Sequence, residues 1–106
     1  MSKEARQKSV ALVVEDELLI RLCAVTTMEE AGFVVLEATT ADEAIEILER
    51  RSDISVVFTD VHMPGSMDGL KLAHAVRNRW PPIRIIVTSG RGQIEERDLP
   101  KGGLFF

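Results

Sequence analysis

Ala11-Leu12-Val13-Val14-Glu15-Asp16 and, further on, Val56-Val57-Phe58-Thr59-Asp60 decide the reading of this chain. Each is an apolar run that stops at a carboxylate. A short continuous apolar run without polar alternation is what a strand covered on both faces requires, and such strands belong to parallel sheets. Placed in one sheet, the two runs project Glu15, Asp16 and Asp60 from its carboxyl edge, where open α/β sheets hold their ligand sites. Three acids gathered there repel one another, so each raises its neighbours' pKa unless a cation lies between them. An all-oxygen donor set suits Mg²⁺, which keeps several waters and commonly shares its shell with a phosphate. The pattern therefore predicts a Mg²⁺ site with an aspartate poised beside it.

The rest of the chain alternates in the way such a sheet needs. Val10 to Val14 is the first strand, and Glu17 to Ala31 reads as a helix, with Leu18, Leu22 and Val25 at helical spacing and Gly32 as its stop. Phe33-Val34-Val35-Leu36 is a second strand. Thr39 or Thr40 caps the next helix, Asp42 and Glu43 sit in its first turn where the dipole favours them, and Ala41, Ala44, Ile45 and Leu48 form its apolar stripe. Arg50 and Arg51 close that helix. Ile54 to Thr59 is the third strand, and Pro64-Gly65 breaks the chain after it. Asp68 caps a third helix running to about Arg79, with Leu72, Ala75 and Val76 inward, and Pro81-Pro82 ends it. Ile83 to Thr88 is the fourth strand, and Ser89-Gly90-Arg91-Gly92 a loop. Gln93 to Asp98 has room for a short helical turn only, given Pro100, Gly102 and Gly103. Leu104-Phe105-Phe106 starts a fifth strand. Strands alternating with helices over short loops imply a doubly wound parallel sheet, a three-layer α/β/α sandwich with right-handed crossovers; periodicity does not give the strand order.

Composition narrows the function classes. The chain has 106 residues, the size of one domain, and a formal net charge of −4. Its basic residues are dispersed, with Arg50-Arg51 and Arg77-Asn78-Arg79 as local helix-end groups, so direct nucleic-acid binding has little support. The single cysteine, Cys23, excludes an internal disulfide, and its neighbours Leu22, Ala24 and Val25 suggest a small buried residue. No apolar run is long enough to span a bilayer, and Met1-Ser2-Lys3-Glu4-Ala5-Arg6 lacks the apolar segment of a secretory signal; a soluble cytoplasmic protein with a natural start at Met1 is the expectation. His62 and His74 have no partner pattern for zinc. Trp80 reads as packing at a helix end.

Three segments in order resemble the receiver domain of two-component response regulators, the CheY-like, flavodoxin-like fold. Val13-Val14-Glu15-Asp16-Glu17 is similar to the acidic end of that family's first strand. Asp60-Val61-His62-Met63-Pro64 followed by Met67-Asp68-Gly69 is similar to its phosphorylation segment, and Val87-Thr88-Ser89-Gly90 to the end of its fourth strand. The resemblance covers almost the whole chain. It implies that Asp60 accepts a phosphoryl group from a phosphohistidine of a sensor histidine kinase or phosphotransfer protein, or from a small acyl phosphate. It implies that Asp16 and Asp60 ligate Mg²⁺ directly, that Glu15 acts nearby or through water, and that the backbone carbonyl of His62 is a further ligand. It implies that Thr88 hydrogen-bonds a phosphoryl oxygen and reorients as a switch together with Phe105, with Phe106 the second choice for that aromatic, and that the backbone N–H of Val61 faces the phosphoryl group. The chain would then be a phosphoacceptor signalling domain rather than an enzyme in the ordinary sense.

The sequence departs from the family pattern in four places. Glu15 stands where aspartate is commoner. The loop Pro64-Gly65-Ser66-Met67-Asp68-Gly69 is one residue longer than usual. The lysine that usually follows the fifth strand falls beyond Phe106, and Lys101, ahead of that strand, does not replace it. The family's last helix is also missing. The expectation from these departures is one receiver domain over residues 1–106, incomplete at its C-terminus and without an output domain, self-associating through an incompletely covered face. Other functions fit less well. A haloacid-dehalogenase-type phosphatase needs a second aspartate two residues after the first, where this chain has His62. A flavin or nucleotide site needs a Gly-, Ser- or Thr-rich loop after the first strand, where this chain has Glu15-Asp16-Glu17. The remaining alternative is a non-phosphorylated pseudo-receiver that serves as a protein-interaction module.

Overall fold

The computed structural model describes residues 9–61 and 68–88 and the backbone of 103–105. In chain order the elements are β1 (Val10–Val14), α1 (Leu18–Glu30), β2 (Val34–Ala38), α2 (Ala41–Arg50), β3 (Ile54–Asp60), α3 (Gly69–Arg79), β4 (Arg84–Thr88) and β5 (Gly103–Phe105). All strand pairs are parallel, and the order across the sheet is β2-β1-β3-β4-β5. The order reverses beside β1: the chain steps from β1 outward to β2, then back across to β3. That reversal is the switch point at which a doubly wound sheet opens a crevice at its carboxyl edge.

Central strands must be apolar on both faces, and β1 is buried at every position. Leu12, Val14, Val57, Ile85 and Val87 pack with Ala41, Ala44, Leu48, Leu72, Ala73 and Val76 into the larger core, beneath α2 and α3. Ala11, Val13 and Val56 pack with Ala24 and Met28 into a smaller one beneath α1. The helix ends follow the expected chemistry. The Thr40 hydroxyl accepts the Glu43 N–H at 3.1 Å, and the Glu43 carboxylate accepts the Thr39 N–H. Asp68 accepts the Lys71 N–H at 2.9 Å. Trp80 ends α3, half-buried against the larger core with the Arg79 guanidinium 4.4 Å from its ring centre.

One irregularity sets the side of the sheet on which the phosphoacceptor candidate lies. Val10 pairs with Ile54 but Ala11 pairs with Val56, so Ser55 is an extra residue in β3. The Ser55 hydroxyl donates to the Val10 carbonyl at 3.1 Å. Ile54 lies in the larger core, and strict alternation from it would place residues 56, 58 and 60 on the same side. The bulge reverses the alternation: Val57 joins Ile54, while Val56 and Phe58 face α1. Asp60 continues on that side.

Helix α1 departs from the reading of its sequence. The spacing predicts Leu18, Leu22 and Val25 on the buried face. The helix instead buries Ala24 and Met28, half-buries Val25, and leaves Leu18, Leu19, Ile20 and Leu22 exposed by 56, 75, 50 and 45%. Leu18, Leu19, Ile20 and Leu22 spread around its first turns, so periodicity singles out no face, and the small Ala24 lies against Ala11 and Val13. Cys23, expected in the core, is exposed for the same reason. In α3 the third inward position is Ala73, with Ala75 only half-buried. The expected turn over residues 93–98 lies outside the described residues, as does the longer loop at 64–67.

Candidate metal centre

The sheet register brings the predicted acids together. Val14 pairs with Thr59, so the next residues on the two strands, Glu15 and Asp60, leave the same edge side by side. Glu15, Asp16 and Asp60 each offer a carboxylate oxygen, and these oxygens lie within 4.8 Å of one another. Asp16 is exposed, Asp60 half-buried, and Glu15 buried.

Glu15 is the most constrained of the three. Its N–H donates to the Ala38 carbonyl at 3.0 Å, continuing the ladder to β2. Its carbonyl accepts an N–H from the Arg21 guanidinium at 3.0 Å, and its carboxylate accepts the Glu17 N–H at 2.9 Å. Burial pushes the Glu15 carboxyl up from 4.5 to about 7; the hydrogen bond to Asp16 and the charges of Asp60 and Asp16 push the same way, and the Glu17 N–H only partly offsets them. A carboxylate in this state gains from a cation that removes its repulsion.

Asp60 is fixed through its backbone and left open at its side chain. The Thr59 hydroxyl, wholly buried, donates to the Asp60 carbonyl at 2.9 Å. The Val61 N–H donates to the Thr88 carbonyl, and the Gly69 N–H to the Val61 carbonyl at 2.9 Å. The first of these bonds corrects an expectation: the Val61 N–H is committed to β4 at 3.0 Å rather than facing the cluster. Parallel pairing of β3 with β4 consumes it, because Asp60 and Thr88 are register partners. The Oδ1 atom of Asp60, by contrast, is buried without a hydrogen-bond partner among the described residues. A buried carboxylate oxygen left unpaired is costly unless something fills its coordination. Three clustered carboxylates, one of them carrying such an orphan, fit a hard divalent cation bound through oxygen.

Thr88 ends β4 opposite Asp60, and its side chain lines the same cleft. That cleft, about 670 Å³, is lined by Glu15, Asp16, Asp60 and Thr88 together with the less polar Ile20, Cys23, Ala24 and Phe58. The predicted ligand His62 lies outside the described residues. Phe105 is placed in β5 opposite Val87 by its backbone. Sequence reading missed three residues: Arg21, which holds the Glu15 carbonyl; Thr59, which holds the Asp60 carbonyl; and Gly69, whose lack of a side chain lets α3 begin against the Asp60 peptide. For Gly69 a signal was available, since a glycine directly after a helix cap offers nothing to the helix and so points to close approach.

Comparison with known proteins agrees with this geometry. A family model described as "Response regulator receiver domain" matches residues 11–99. The chain is 35% identical over 99 residues to "Sensor kinase CckA" of Brucella abortus, covering 92% of this chain and 10% of that protein. It is 38% identical over 90 residues to "Hydrogenase transcriptional regulatory protein HoxA" of Cupriavidus necator, covering 85% of this chain and 18% of that protein. It thus spans a small part of these relatives' length. The crystal structure of a response regulator receiver protein from Sinorhizobium medicae superimposes with a TM-score of 0.86 at 26% identity, over 94% of this chain and 82% of that one.

Proposed function

The chain belongs to the response regulator receiver domain family, and on that premise we propose that Asp60 is its phosphoacceptor in a Mg²⁺-dependent phosphorelay. The observation that carries this reading is the orphaned Oδ1 of Asp60 inside a cluster of three acids, with the Thr88 side chain on the neighbouring strand. Asp16 and Asp60 would hold the ion directly, and Glu15 would hold it directly or through water. Bound there, Mg²⁺ supplies charge neutralisation for a phosphoryl group approaching three carboxylates.

The chain's own groups account for the rest. A carboxylate oxygen of Asp60 attacks phosphorus, the bond from phosphorus to the donor's imidazole nitrogen breaks, and its electron pair leaves with that nitrogen. The product is an acyl phosphate on Asp60. Pinning of the Asp60 peptide by Thr59, Val61 and Gly69 keeps the nucleophile in one place, so little ordering remains for the encounter. The Thr88 hydroxyl would donate to a phosphoryl oxygen, and its movement toward the new charge would be the switch, in concert with Phe105 on β5. A sensor histidine kinase or phosphotransfer protein is the donor in this reading. Ile20, half exposed on α1, lines the same cleft as Asp60 and would offer that donor an apolar footing. In this role the chain is a signalling phosphoprotein that promotes its own phosphorylation, not a turnover enzyme.

The direct test is to locate the phosphoryl group. After incubation with phosphoramidate and Mg²⁺, borohydride reduction should convert residue 60, and no other aspartate, to homoserine in the peptide map. Conversion at Asp16, or at several acids, would refute the assignment.

A further inference from the structure

Arg21 is the one cation of α1, and its side chain is turned inward. Its guanidinium is pinned at two points: Nη1 donates to the Glu15 carbonyl at 3.0 Å and Nε donates to the Glu37 carboxylate at 2.9 Å. The Arg21 side chain is 14% exposed and that of Glu37 44%. Arg21 therefore joins the loop that carries the acids to β2, the edge strand beyond it. The peptide of Glu15 is held on both sides, by the Ala38 carbonyl at its N–H and by Arg21 at its carbonyl. A planar, forked guanidinium meets a carbonyl and a carboxylate at once, which a lysine ammonium does poorly.

We propose that Arg21, oriented by Glu37, is a positioning residue for the metal centre: it fixes the β1–α1 turn so that the Glu15 and Asp16 carboxylates converge on Asp60. The inference rests on the reading of that cluster as a divalent-cation site. It makes a prediction opposite in sign to simple electrostatics. Deleting a cation beside three acids should by charge alone tighten Mg²⁺ binding. Loss of a residue that positions ligands weakens it, by about tenfold or more.

The experiment is calorimetric titration of the folded chain with Mg²⁺, and with Mn²⁺ as a second probe, at a temperature where circular dichroism shows every variant folded. Arg21→Ala should bind about tenfold more weakly. Arg21→Lys should recover only part of the loss, and Glu37→Gln should weaken binding in the same direction by less. The double variant Arg21→Ala/Glu37→Gln should bind no more weakly than Arg21→Ala, because Glu37 acts through Arg21. Arg79→Ala, which breaks the ion pair with Glu49 away from the cleft, is the control and should leave affinity unchanged. Unchanged or tighter binding by Arg21→Ala, or equal losses in Arg21→Ala and Arg79→Ala, would overturn the proposal. Should Arg21→Ala not fold, Arg21→Lys and Glu37→Gln carry the same test, and wild-type affinity in both would overturn it. A wild-type chain that takes up neither ion would overturn the metal-site reading itself, a result distinguishable from a failure of Arg21 alone.

Discussion

Replacing Gly69 by alanine is the sharpest structural perturbation of the proposed phosphoacceptor, Asp60, that leaves every charged group in place. An alanine Cβ at this position would lie 1.8 Å from the Asp60 carbonyl oxygen, 2.7 Å from its carbon and 2.8 Å from the Val61 Cα. All three are backbone atoms, so no flexible side chain can yield. Either the start of α3 or the end of β3 has to move by roughly 1 Å, and overpacking of that kind costs about 1–3 kcal/mol. The upper part of that range applies, because the Gly69 N–H bond to the Val61 carbonyl and the Asp68 cap are both strained by the same shift. Helix propensity pulls the other way: glycine to alanine within a helix stabilises by about 1 kcal/mol when nothing clashes. The sign of the measured change therefore decides which effect wins. Urea denaturation of Gly69→Ala should show a loss of about 2 kcal/mol, and Mg²⁺ affinity should fall as Asp60 is displaced. A variant as stable as wild type, or more so, with unchanged Mg²⁺ affinity would refute the packing argument.

Other consequences follow from single residues. The Glu15 carboxyl sits at about 7 when folded against 4.5 ordinarily. The folded chain thus holds that proton more tightly than the unfolded chain. The Glu15 contribution to metal-free stability should be fully present below pH 4.5 and be lost as pH rises through 7. Mg²⁺ affinity should rise over the same interval, and Glu15→Gln should flatten the first trend, as urea melts between pH 4 and 8 will show. Thr40→Ala removes the cap of α2 and should cost about 1 kcal/mol in the same denaturation assay, with Mg²⁺ affinity unchanged. Leu19 is 75% exposed, so Leu19→Glu should leave stability and labelling by phosphoramidate intact while slowing transfer from a phosphorylated kinase. Equal rates from the protein donor in wild type and variant would remove α1 from the docking surface.

The fold was legible because its strands are so uniformly apolar. Val10–Val14 reads as a doubly covered strand and is one, and the carboxylates that end β1 and β3 meet because those two strands are parallel neighbours in the sheet. Thr88 was reached through the family resemblance, and it is the pairing of β4 with β3 that sets it opposite Asp60. The caps Thr40 and Asp68 followed from local hydrogen bonding alone. What escaped the sequence depended on partners distant along the chain. Leu18, Leu19, Ile20 and Leu22 carry no information about which side of α1 meets the sheet, so the buried side was misassigned and Cys23 with it. The Val61 N–H was misassigned because its bond depends on where β4 lies, and strand order is not written in periodicity. The bulge at Ser55 left no local mark, yet it turns Asp60 toward the α1 side. Arg21 carries no local signal of its role, which depends on β2 bringing Glu37 beside it.

The central claim is that Asp60 takes up one phosphoryl group with the help of a divalent cation. The most direct measurement is intact mass after incubation with a small phosphodonor, with and without Mg²⁺, on the wild-type chain and on Asp60→Ala. The account predicts a gain of a single phosphoryl group that requires Mg²⁺ and disappears in the variant. No gain from a folded wild-type chain in the presence of Mg²⁺, or an undiminished gain in Asp60→Ala, would contradict it.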